Sequence, residues 1–431
     1  MLLKYIQNLI KDKSVCILGF GREGKSTFNA FTKAGGYKSI TICDLNSVEC
    51  EGAEVIAGKD YQKNLDRFDI VMKSPGIVLE EGALTDFSRL YSQTEIFLSV
   101  YREQTIGITG TKGKSTTSSL IYHILKQCGK KVQLLGNIGI PAFDGNVTMD
   151  DTVVFELSSH QLEYTSVSPK RAVLLNIFPE HLDHYGTFEK YYDAKKHIFR
   201  YQKEGDILVC GEDVVPTEKC LSTVTVFGKE APVTIRRNSF IVNGKEITLD
   251  ETCPLLGEHN VNNIAVAYLL TKPYGIADEE FLKALSTFKT LPHRLEKLGE
   301  KDGITYYDDS ISTCSQTTIQ ALCSLENVGT VLIGGMDRGI DYSPLVEFLT
   351  AFNIPNVIFM YDTGKRIMAE FEGKAYSFAS HYAESLSDAV ALAKRVTPKG
   401  SICLLSPAAA SYGFFKNFED RGEQFKSLAL N

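Results

Sequence analysis

A stretch rich in glycine and lysine follows one of the apolar runs of the chain and precedes an amphipathic segment: Gly107-Ile108-Thr109-Gly110-Thr111-Lys112-Gly113-Lys114-Ser115-Thr116. Between a strand and a helix, the backbone N–H groups of such a loop wrap phosphates, Lys114 reaches the outer phosphates and the Ser115 hydroxyl binds Mg²⁺. Ile108 stands where the common pattern has its first glycine, so this loop is a variant. The alternative is a fortuitous turn rich in Gly, Lys and Ser. The stretch favours a nucleotide-binding α/β domain.

Short runs rich in Val and Ile recur between longer amphipathic segments, which is typical of parallel βαβ units. The predicted strands are 15–19, 39–43, 69–72, 105–109, 152–157, 171–176, 331–334, 357–361 and 402–405. Polar or glycine-rich residues follow these runs at once. Because ligands bind at the carboxyl ends of the strands in open parallel sheets, we expect the functional residues there. The predicted fold class is α/β.

Two breaks in this pattern predict three domains, 1–98, 99–292 and 293–431. The first precedes the phosphate loop, and the second lies at Leu291-Pro292-His293-Arg294. Residues 205–256 contain short alternating stretches around an Asn243-Gly244 turn, which is a hairpin signal. We expect Rossmann-like outer domains and a central P-loop domain with a small antiparallel appendage.

A second glycine-rich loop, Gly19-Phe20-Gly21-Arg22-Glu23-Gly24, lies near the start of the chain, and Asp44 follows it 20 residues beyond Gly24. The glycines allow a phosphate to approach a helix N-terminus, and the acid can bind a ribose hydroxyl. By itself this pattern fits an NAD oxidoreductase, a binder of nucleotide diphosphates, or a plain strand-to-helix turn.

Candidate metal and substrate groups lie downstream of the phosphate loop. Glu156 ends an apolar strand, where a carboxylate can hold Mg²⁺ against the nucleotide. His181, His184 and His197 suggest zinc, but the paired spacing of a structural zinc site is absent. Taken singly, His184 and His197 are interpreted as surface or helix-face residues.

Asn260 and Asn263 lie three residues apart at the start of an Ala-rich helix, so both amides can face one ligand. Helix capping by Asn is the alternative.

The charge balance is mildly acidic, with 46 Lys and Arg against 53 Asp and Glu and a net charge of −7. A general binder of nucleic acid or of anionic membranes needs the opposite excess. The charged N-terminal start and the lack of a long apolar run argue against a signal peptide or a membrane span. We expect a cytoplasmic, monomeric protein without nucleic-acid partners or membrane insertion.

Together these motifs resemble the Mur ligases of peptidoglycan synthesis, and within them the glutamate-adding enzymes, over essentially the whole chain. The motifs that carry the resemblance are 109–116, Gly136-Asn137-Ile138-Gly139, Glu156-Leu157-Ser158-Ser159, Glu180-His181-Leu182-Asp183, His259-Asn260 with Asn263, Pro292-His293-Arg294, Asp309-Ser310, Ser406-Pro407-Ala408 and 417–422.

The resemblance implies that the three domains bind UDP, ATP and the incoming amino acid in chain order. The implied UDP-substrate residues are Gly21, Arg22, Glu23, Gly24, Asp44, Ser74, Pro75, Gly76, Asn137 and His181. The implied ATP residues are Gly110, Thr111, Lys112, Gly113, Lys114, Ser115, Thr116, Asn260, Arg294 and Asp309. The implied amino-acid residues are Thr313, Arg338, Ser411 and Phe418.

The implied reaction joins UDP-N-acetylmuramoyl-L-alanine to D-glutamate through an acyl phosphate, with ATP as co-substrate and two Mg²⁺ ions. The implied metal ligands are Ser115, Glu156, His181 and a carbamylated Lys195, and the implied catalytic residues are Lys114, Glu156, His181 and Lys195. Because both substrates approach as anions, the metals and Lys114 offset their repulsion. No protein nucleophile is needed.

The C-terminal part departs from the pattern of the glutamate-adding enzymes. Ile311 and Arg338 stand where lysines are usual, and Gly413 replaces an Asp. Arg keeps the charge of Lys but changes a point donor into a planar fork. An acidic amino acid stays the best expectation, with L-glutamate or another acidic residue as the alternative to D-glutamate.

Two further alternatives lie outside this reaction. A ligase like folylpolyglutamate synthase is disfavoured by the N-terminal Rossmann-like unit with its Ser74-Pro75-Gly76 turn. An NAD-dependent oxidoreductase leaves the Lys114 loop unexplained. A non-catalytic nucleotide-binding regulator leaves the set of Glu156, His181 and Lys195 unexplained.

Overall fold

The computed structural model describes the backbone of residues 1–431 and every side chain except that of Asp183. It contains three sheets, in two compact units. One unit comprises Met1–Asp250 and Val261–Thr287, and the other comprises Glu251–Asn260 and Phe288–Asn431. Each predicted domain range encloses one sheet, and the boundary at 98/99 falls inside a helix, Gln93–Tyr101. That each of the three ranges forms an independent domain stays a prediction.

The first sheet has five parallel strands in the order β3-β2-β1-β4-β5. They are β1 Ser14–Leu18, β2 Ser39–Asp44, β3 Glu54–Ala57, β4 Ile70–Lys73 and β5 Leu90–Tyr91. The accompanying helices are α1 Leu2–Ile10, α2 Arg22–Ala34 and α3 Gln93–Tyr101. Val15 to Leu18 are all buried, because a parallel strand is covered on both faces.

The second sheet has nine strands in the order β14-β13-β12-β11-β10-β9-β6-β8-β7. They are β6 Thr105–Thr109, β7 Val132–Gly136, β8 Thr152–Glu156, β9 Arg171–Leu174, β10 Ile207–Gly211, β11 Thr223–Gly228, β12 Val233–Ile235, β13 Ser239–Val242 and β14 Lys245–Thr248. The helices are α4 Lys114–Gln127, α5 Ser159–Leu162, α6 Leu182–Tyr185, α7 Phe188–Arg200, α8 Glu258–Thr271 and α9 Asp278–Ser286.

The antiparallel appendage is smaller than predicted. β12, β13 and β14 pair antiparallel, and Asn243-Gly244 forms the two-residue turn between β13 and β14, with positive φ at both residues. β10 and β11 are instead parallel extensions of the central sheet. The assignment of 205–256 as wholly antiparallel is therefore wrong, since the apolar run of β10 is a buried parallel strand.

One apolar core runs through both sheets of the first unit. Phe97 of α3 packs edge-on against Phe155 of β8, with ring centroids 5.2 Å apart. The first sheet is thus fixed against the central one, and residues after β1 and β4 can meet residues after β7 and β8.

The third sheet has six strands in the order β15-β16-β20-β17-β18-β19, with only β15 antiparallel. They are β15 Glu296–Lys301, β16 Ile304–Asp308, β17 Val328–Gly334, β18 Asn356–Met360, β19 Ala379–Ala383 and β20 Ile402–Leu405. The helices are α10 Ser315–Ser324, α11 Ser343–Ala351, α12 Tyr361–Ala369, α13 Leu386–Val396 and α14 Phe418–Leu430.

All nine strands predicted from the sequence are present, and the predicted α/β class is confirmed. Within the part of the chain that the structure describes, the helices are too short or too polar to cross a membrane.

Candidate active site

The predicted phosphate loop joins β6 to α4. Gly110 has φ +155° and Gly113 has φ +85°, a region of backbone conformation that favours glycine. A Cβ atom on Gly113 would lie 2.7 Å from Oδ1 of Asn263, so space also excludes a side chain there. The loop leads directly into the N-terminus of α4, and the positive end of the helix dipole there favours an anion.

Asn176, directly after β9, fixes the shape of this loop. Its carbonyl oxygen accepts the Thr111 N–H at 2.8 Å, and its Oδ1 accepts the Lys112 N–H at 2.9 Å. Its amide also donates to the Lys112 carbonyl at 3.1 Å. Sequence reasoning did not name Asn176 as a site residue, although its place directly after a strand was the signal that could have found it.

Lys114 begins α4 and folds back over the loop. Its Nζ donates to the carbonyl oxygens of Gly110 at 2.9 Å and Thr111 at 2.8 Å. Ser115 is buried and Thr116 half-buried at the same helix start. An ammonium group at the mouth of a glycine loop is suited to bind the outer phosphates of a nucleotide.

Glu156 ends β8, the neighbour of β6 in the sheet, and its side chain is fully buried. Its Oε1 accepts a hydrogen bond from Nδ2 of Asn137 at 2.7 Å. Among the described residues, its Oε2 has no hydrogen-bond partner. A buried carboxylate oxygen without a partner is costly, and a divalent cation that prefers oxygen ligands would satisfy it. The residues present therefore fit Mg²⁺.

Lys195 projects from α7 to the same loop and is only 1% exposed. Its Nζ donates to the Gly110 carbonyl at 2.9 Å and lies 4.9 Å from the centre of the Tyr191 ring. Burial lowers the pKa of Lys195 well below its usual value, and the charge of Lys114 lowers it further. Glu156 and Glu180 oppose this effect without reversing it. The buried site therefore disfavours the ammonium form relative to a lysine in water.

His181 belongs to a polar group at the rim of the loop. Lys112 and Glu180 form an ion pair at 2.6 Å, and Nε2 of His181 lies 4.0 Å from Oε2 of Glu180. Burial raises the pKa of Glu180, but the charge and hydrogen bond of Lys112, together with the charges of Lys114 and His181, outweigh burial and leave the pKa below its usual value. Tyr191 joins this rim to the loop through a 2.9 Å hydrogen bond between its hydroxyl and Oγ1 of Thr111.

Tyr191 and Glu180 are further residues that sequence reasoning did not assign. Tyr191 lies one helical turn before Lys195, and that spacing on one face was an available signal. His184 corrects the surface interpretation. Its side chain is 8% exposed and its Nε2 lies 3.1 Å from Oε2 of Glu163. His197 is half-buried and bonds the Leu162 carbonyl through Nδ1 at 2.8 Å.

The N-terminal glycine loop joins β1 to α2. A Cβ atom on Gly24 would lie 2.1 Å from the Gly19 carbonyl oxygen, so close packing demands glycine there. Asp44, at the end of β2, accepts the backbone N–H groups of Phe20 at 2.7 Å and Asn46 at 2.8 Å. The carboxylate predicted to bind ribose thus also holds the loop.

Two side chains of this loop reach the central sheet region. Arg22 donates to the Gly139 carbonyl at 2.5 Å, and Glu23 accepts from the Gln161 amide at 2.7 Å. Burial raises the pKa of Glu23, although Gln161 and Arg22 partly oppose it. These two contacts join the N-terminal loop to the segment after β7 and to α5.

The Ser74-Pro75-Gly76 turn lies beside the same loop, because Oγ of Ser74 donates to the Gly19 carbonyl at 2.8 Å. The two predicted parts of the UDP site are thus adjacent.

The two asparagines of α8 have different surroundings. Oδ1 of Asn263 accepts the Thr117 hydroxyl at 3.0 Å, beside Gly113 of the phosphate loop. Nδ2 of Asn260 donates to the Leu256 carbonyl at 2.7 Å.

In the second unit, Asp309 follows β16 and is buried. Its Oδ1 accepts the Leu295 N–H at 3.2 Å, and its Oδ2 accepts the hydroxyls of Ser312 at 2.5 Å and Ser406 at 2.8 Å. Burial raises the pKa of Asp309 to about 7. Asp309 thus ties the turn that carries Arg294 to the sheet.

The predicted amino-acid residues lie on loops that follow β16, β17 and β20, which are neighbours in the third sheet, and at the start of α14. Met336 and Ala410 form an antiparallel bridge that joins the loop of Arg338 to the loop of Ser411. The fully buried Arg421 donates to the carbonyls of Ser310 at 2.7 Å and Ala409 at 3.0 Å. A second group of loops therefore converges at one sheet edge.

Comparison with known proteins identifies relatives of this arrangement. Residues 108–271, which include the phosphate loop, match the Mur ligase middle domain family. The UDP-N-acetylmuramoylalanine–D-glutamate ligase of Clostridium botulinum strain Hall is 33% identical, over 98% of this chain and 97% of the relative. The enzyme of the same name from Clostridium perfringens strain 13 is 31% identical, over 99% and 98%.

Solved structures show the same fold at lower identity. The MurF ligase of Thermotoga maritima, solved in complex with ADP, superposes with a TM-score of 0.63 at 17% identity, over 99% of this chain and 97% of that one. MurF of Acinetobacter baumannii gives 0.64 at 16% identity, over 98% and 92%. The chain therefore belongs to the Mur ligase family of ATP-dependent, amide-forming enzymes of peptidoglycan precursor synthesis, in the branch of the UDP-N-acetylmuramoylalanine–D-glutamate ligases.

Proposed function

We propose that this chain joins D-glutamate to UDP-N-acetylmuramoyl-L-alanine and converts ATP to ADP and phosphate. The observation that carries the proposal is the convergence of Lys114, Lys195 and Glu156 on one edge of the central sheet. The names of the Clostridium relatives supply the substrate pair.

The proposed sites follow the three sheets. Residues 1–98 bind the UDP moiety, 99–292 bind ATP, and 293–431 bind the amino acid. The alanyl carboxylate attacks the γ-phosphate to give an acyl phosphate, and the amino-acid amine then displaces phosphate from the carbonyl. A carboxylate is a poor acyl donor, so this activation is what the ATP supplies.

The chain's own groups position and neutralise the reactants. Lys114 offsets the repulsion between carboxylate and phosphate, and the N-terminus of α4 holds the remaining phosphate charge. His181 and Asn137 lie toward the sugar and alanyl end of the substrate. Positioning of the two anions supplies the remainder of the rate enhancement.

Two Mg²⁺ ions are proposed, held by Ser115, Glu156, His181 and a carbamylated Lys195. When bound, they neutralise charge on the transferring phosphoryl group. Lys195 suits this role only as the carbamate, because that modification turns a cation into an oxygen ligand. The neutral amine is the form that reacts with CO₂, and burial shifts the equilibrium of Lys195 toward that form.

L-glutamate or another acidic amino acid is the second candidate. Arg338 and Gly413, where Lys and Asp are usual in the glutamate-adding enzymes, favour this alternative. Both candidates need a cation for the side-chain carboxylate, which Arg338 supplies.

An amino-acid panel tests the substrate assignment. D-Glu, L-Glu, D-Asp and meso-diaminopimelate are offered with ATP and UDP-N-acetylmuramoyl-L-alanine, and phosphate release is measured. We expect phosphate release with D-Glu alone, or a rate with D-Glu at least tenfold above the rate with each of the other three amino acids. Turnover that prefers L-Glu selects the second candidate, and release with none of the four contradicts the ligase assignment.

A matched pair of variants tests the phosphate loop. Lys114→Ala should lower phosphate release by roughly a hundredfold or more, as expected for a group that stabilises transferring charge. Lys126→Ala removes a lysine from the other end of the same helix, where its Nζ donates to the Tyr122 hydroxyl at 3.0 Å, and should leave turnover unchanged. Retained turnover in Lys114→Ala would reject the loop assignment.

A further inference from the structure

Lys73, the last residue of β4, is a buried cation that the proposed reaction does not use. Its side chain is 4% exposed, and its Nζ lies 3.7 Å from Oε2 of Glu163, which follows α5. The same Oε2 lies 3.1 Å from Nε2 of His184 in α6. Lys73, Glu163 and His184 therefore form a chain of polar contacts from the first sheet to the helix that begins after His181.

The ammonium group of Lys73 also lies under the turn that follows β4. Its Nζ is 3.4 Å from the Pro75 carbonyl oxygen and 3.5 Å from that of Ser74. Ser74 in turn bonds the Gly19 carbonyl. A displacement of Lys73 would thus move the turn and the glycine loop together, which are the two proposed parts of the UDP site.

A cavity borders this polar group on the side of Glu163 and His184. Glu163 and His184 line a cavity of about 450 Å³, together with Val78 just beyond the turn. Because opposite charges attract more strongly where solvent is largely excluded, the ion pair of Lys73 and Glu163 holds the end of β4 against the segment that follows α5. Burial lowers the pKa of Lys73, and Glu163 counteracts this, which agrees with a retained ion pair.

We propose that Lys73, Glu163 and His184 are positioning residues that hold the Ser74-Pro75-Gly76 turn in register with the His181 turn, and so set the affinity for the UDP-muramoyl substrate. The inference rests on the proposed function. Lys73 acts through the backbone of the turn, because its buried ammonium leaves no face for the substrate.

The test measures binding of UDP-N-acetylmuramoyl-L-alanine to the full chain by calorimetry, in the absence of ATP. Lys73→Met should weaken this binding roughly tenfold or more, while ADP binding stays within about twofold. Lys73→Arg keeps the charge and should recover most of the affinity. The double variant Lys73→Met with Glu163→Gln leaves no unpaired buried charge, so it gives the same comparison if the single variant does not fold.

Arg102→Met is the matched control for a merely structural loss. Arg102 is also a largely buried cation in this unit, paired with Asp206, and lies outside the proposed sites. The Arg102→Met variant should lower the Tm by about as much as Lys73→Met does, without changing the affinity for UDP-N-acetylmuramoyl-L-alanine. If Lys73→Met and the double variant bind substrate as the wild type does, the positioning role is refuted. A wild-type chain that binds no UDP-N-acetylmuramoyl-L-alanine would reject the proposed function itself, and this inference with it.

Discussion

Lys114 and Lys195 donate to one acceptor, the carbonyl oxygen of Gly110, each at 2.9 Å. Two ammonium groups so placed repel each other, and Lys195 is the one without solvent. Burial and the charge of Lys114 both lower the pKa of Lys195, so its charge is the one that the fold disfavours. Conversion of Lys195 to a carbamate would remove this conflict and turn repulsion into attraction.

Lys195→Ala should therefore lower phosphate release by roughly a hundredfold, because the variant lacks the proposed oxygen ligand. A short carboxylate such as acetate or formate fits the vacated volume and should restore part of the activity. Activity is measured with and without the added acid.

Lys196→Ala is the control, since Lys196 is the neighbour of Lys195 in α7, is only half-buried, and pairs with Glu218 at 3.4 Å. It should retain activity and show no response to acetate. Full activity of Lys195→Ala, or equal rescue of both variants, would contradict the carbamate role.

Gly24→Ala and Gly21→Ala should differ sharply in stability. The added Cβ at Gly24 would meet the Gly19 carbonyl oxygen at 2.1 Å, whereas at Gly21 it meets no atom within 4 Å. Overpacking of this kind costs about 1–3 kcal/mol, so Gly24→Ala should lower the Tm by several degrees. Gly21→Ala should leave it almost unchanged. Equal melting temperatures would mean that the loop relaxes freely.

Much of the fold follows from local sequence pattern. β1 and β20 are almost uniform apolar runs followed by glycine or polar residues, so their place in a parallel sheet is predictable. β10 is the counterexample, because local pattern groups its apolar run with the alternating stretches around Asn243-Gly244, whereas the structure pairs β10 parallel with β9. Pairing partners of a short strand depend on distant residues, which local pattern does not contain.

The candidate site is predictable where one motif carries it and less so where contacts cross the fold. Lys114 begins a helix and Glu156 ends a strand, and these positions alone identify both as candidate site residues. Lys195 is fully buried and its neighbour Lys196 is half-buried, and predicting this difference requires knowledge of which side of α7 meets the phosphate loop. The contact of Lys73 with Glu163 joins residues 90 positions apart, and no local signal predicts it.

Asp309 should make stability depend on pH. Its pKa is about 7 in the folded chain, against an ordinary 3.8. Between those pH values the folded state keeps a proton that the unfolded state has lost. The free energy of unfolding therefore falls as the pH rises, by about 4 kcal/mol in all, and this contribution is constant above pH 7. Asp309→Asn removes this titration and should flatten the profile. Melting temperatures at pH 5 and pH 8 check it, and equal pH dependence in both proteins would contradict it.

Arg338 should govern affinity for the amino acid. It is exposed on the loop that follows β17, which the Met336 bridge joins to the loop of Ser411. A charged hydrogen bond to a carboxylate contributes about 1.5–3 kcal/mol, so Arg338→Ala should raise the KM for glutamate by roughly ten- to a hundredfold. The KM for ATP should change by less than about twofold, because the phosphate loop is built from other elements.

Arg338→Lys keeps the charge and should recover part of the affinity, with a larger deficit if the planar fork binds in a bidentate manner. Steady-state kinetics with each substrate varied in turn measures both constants. Equal rises in the two KM values would point to general damage of the unit and contradict a specific role for Arg338.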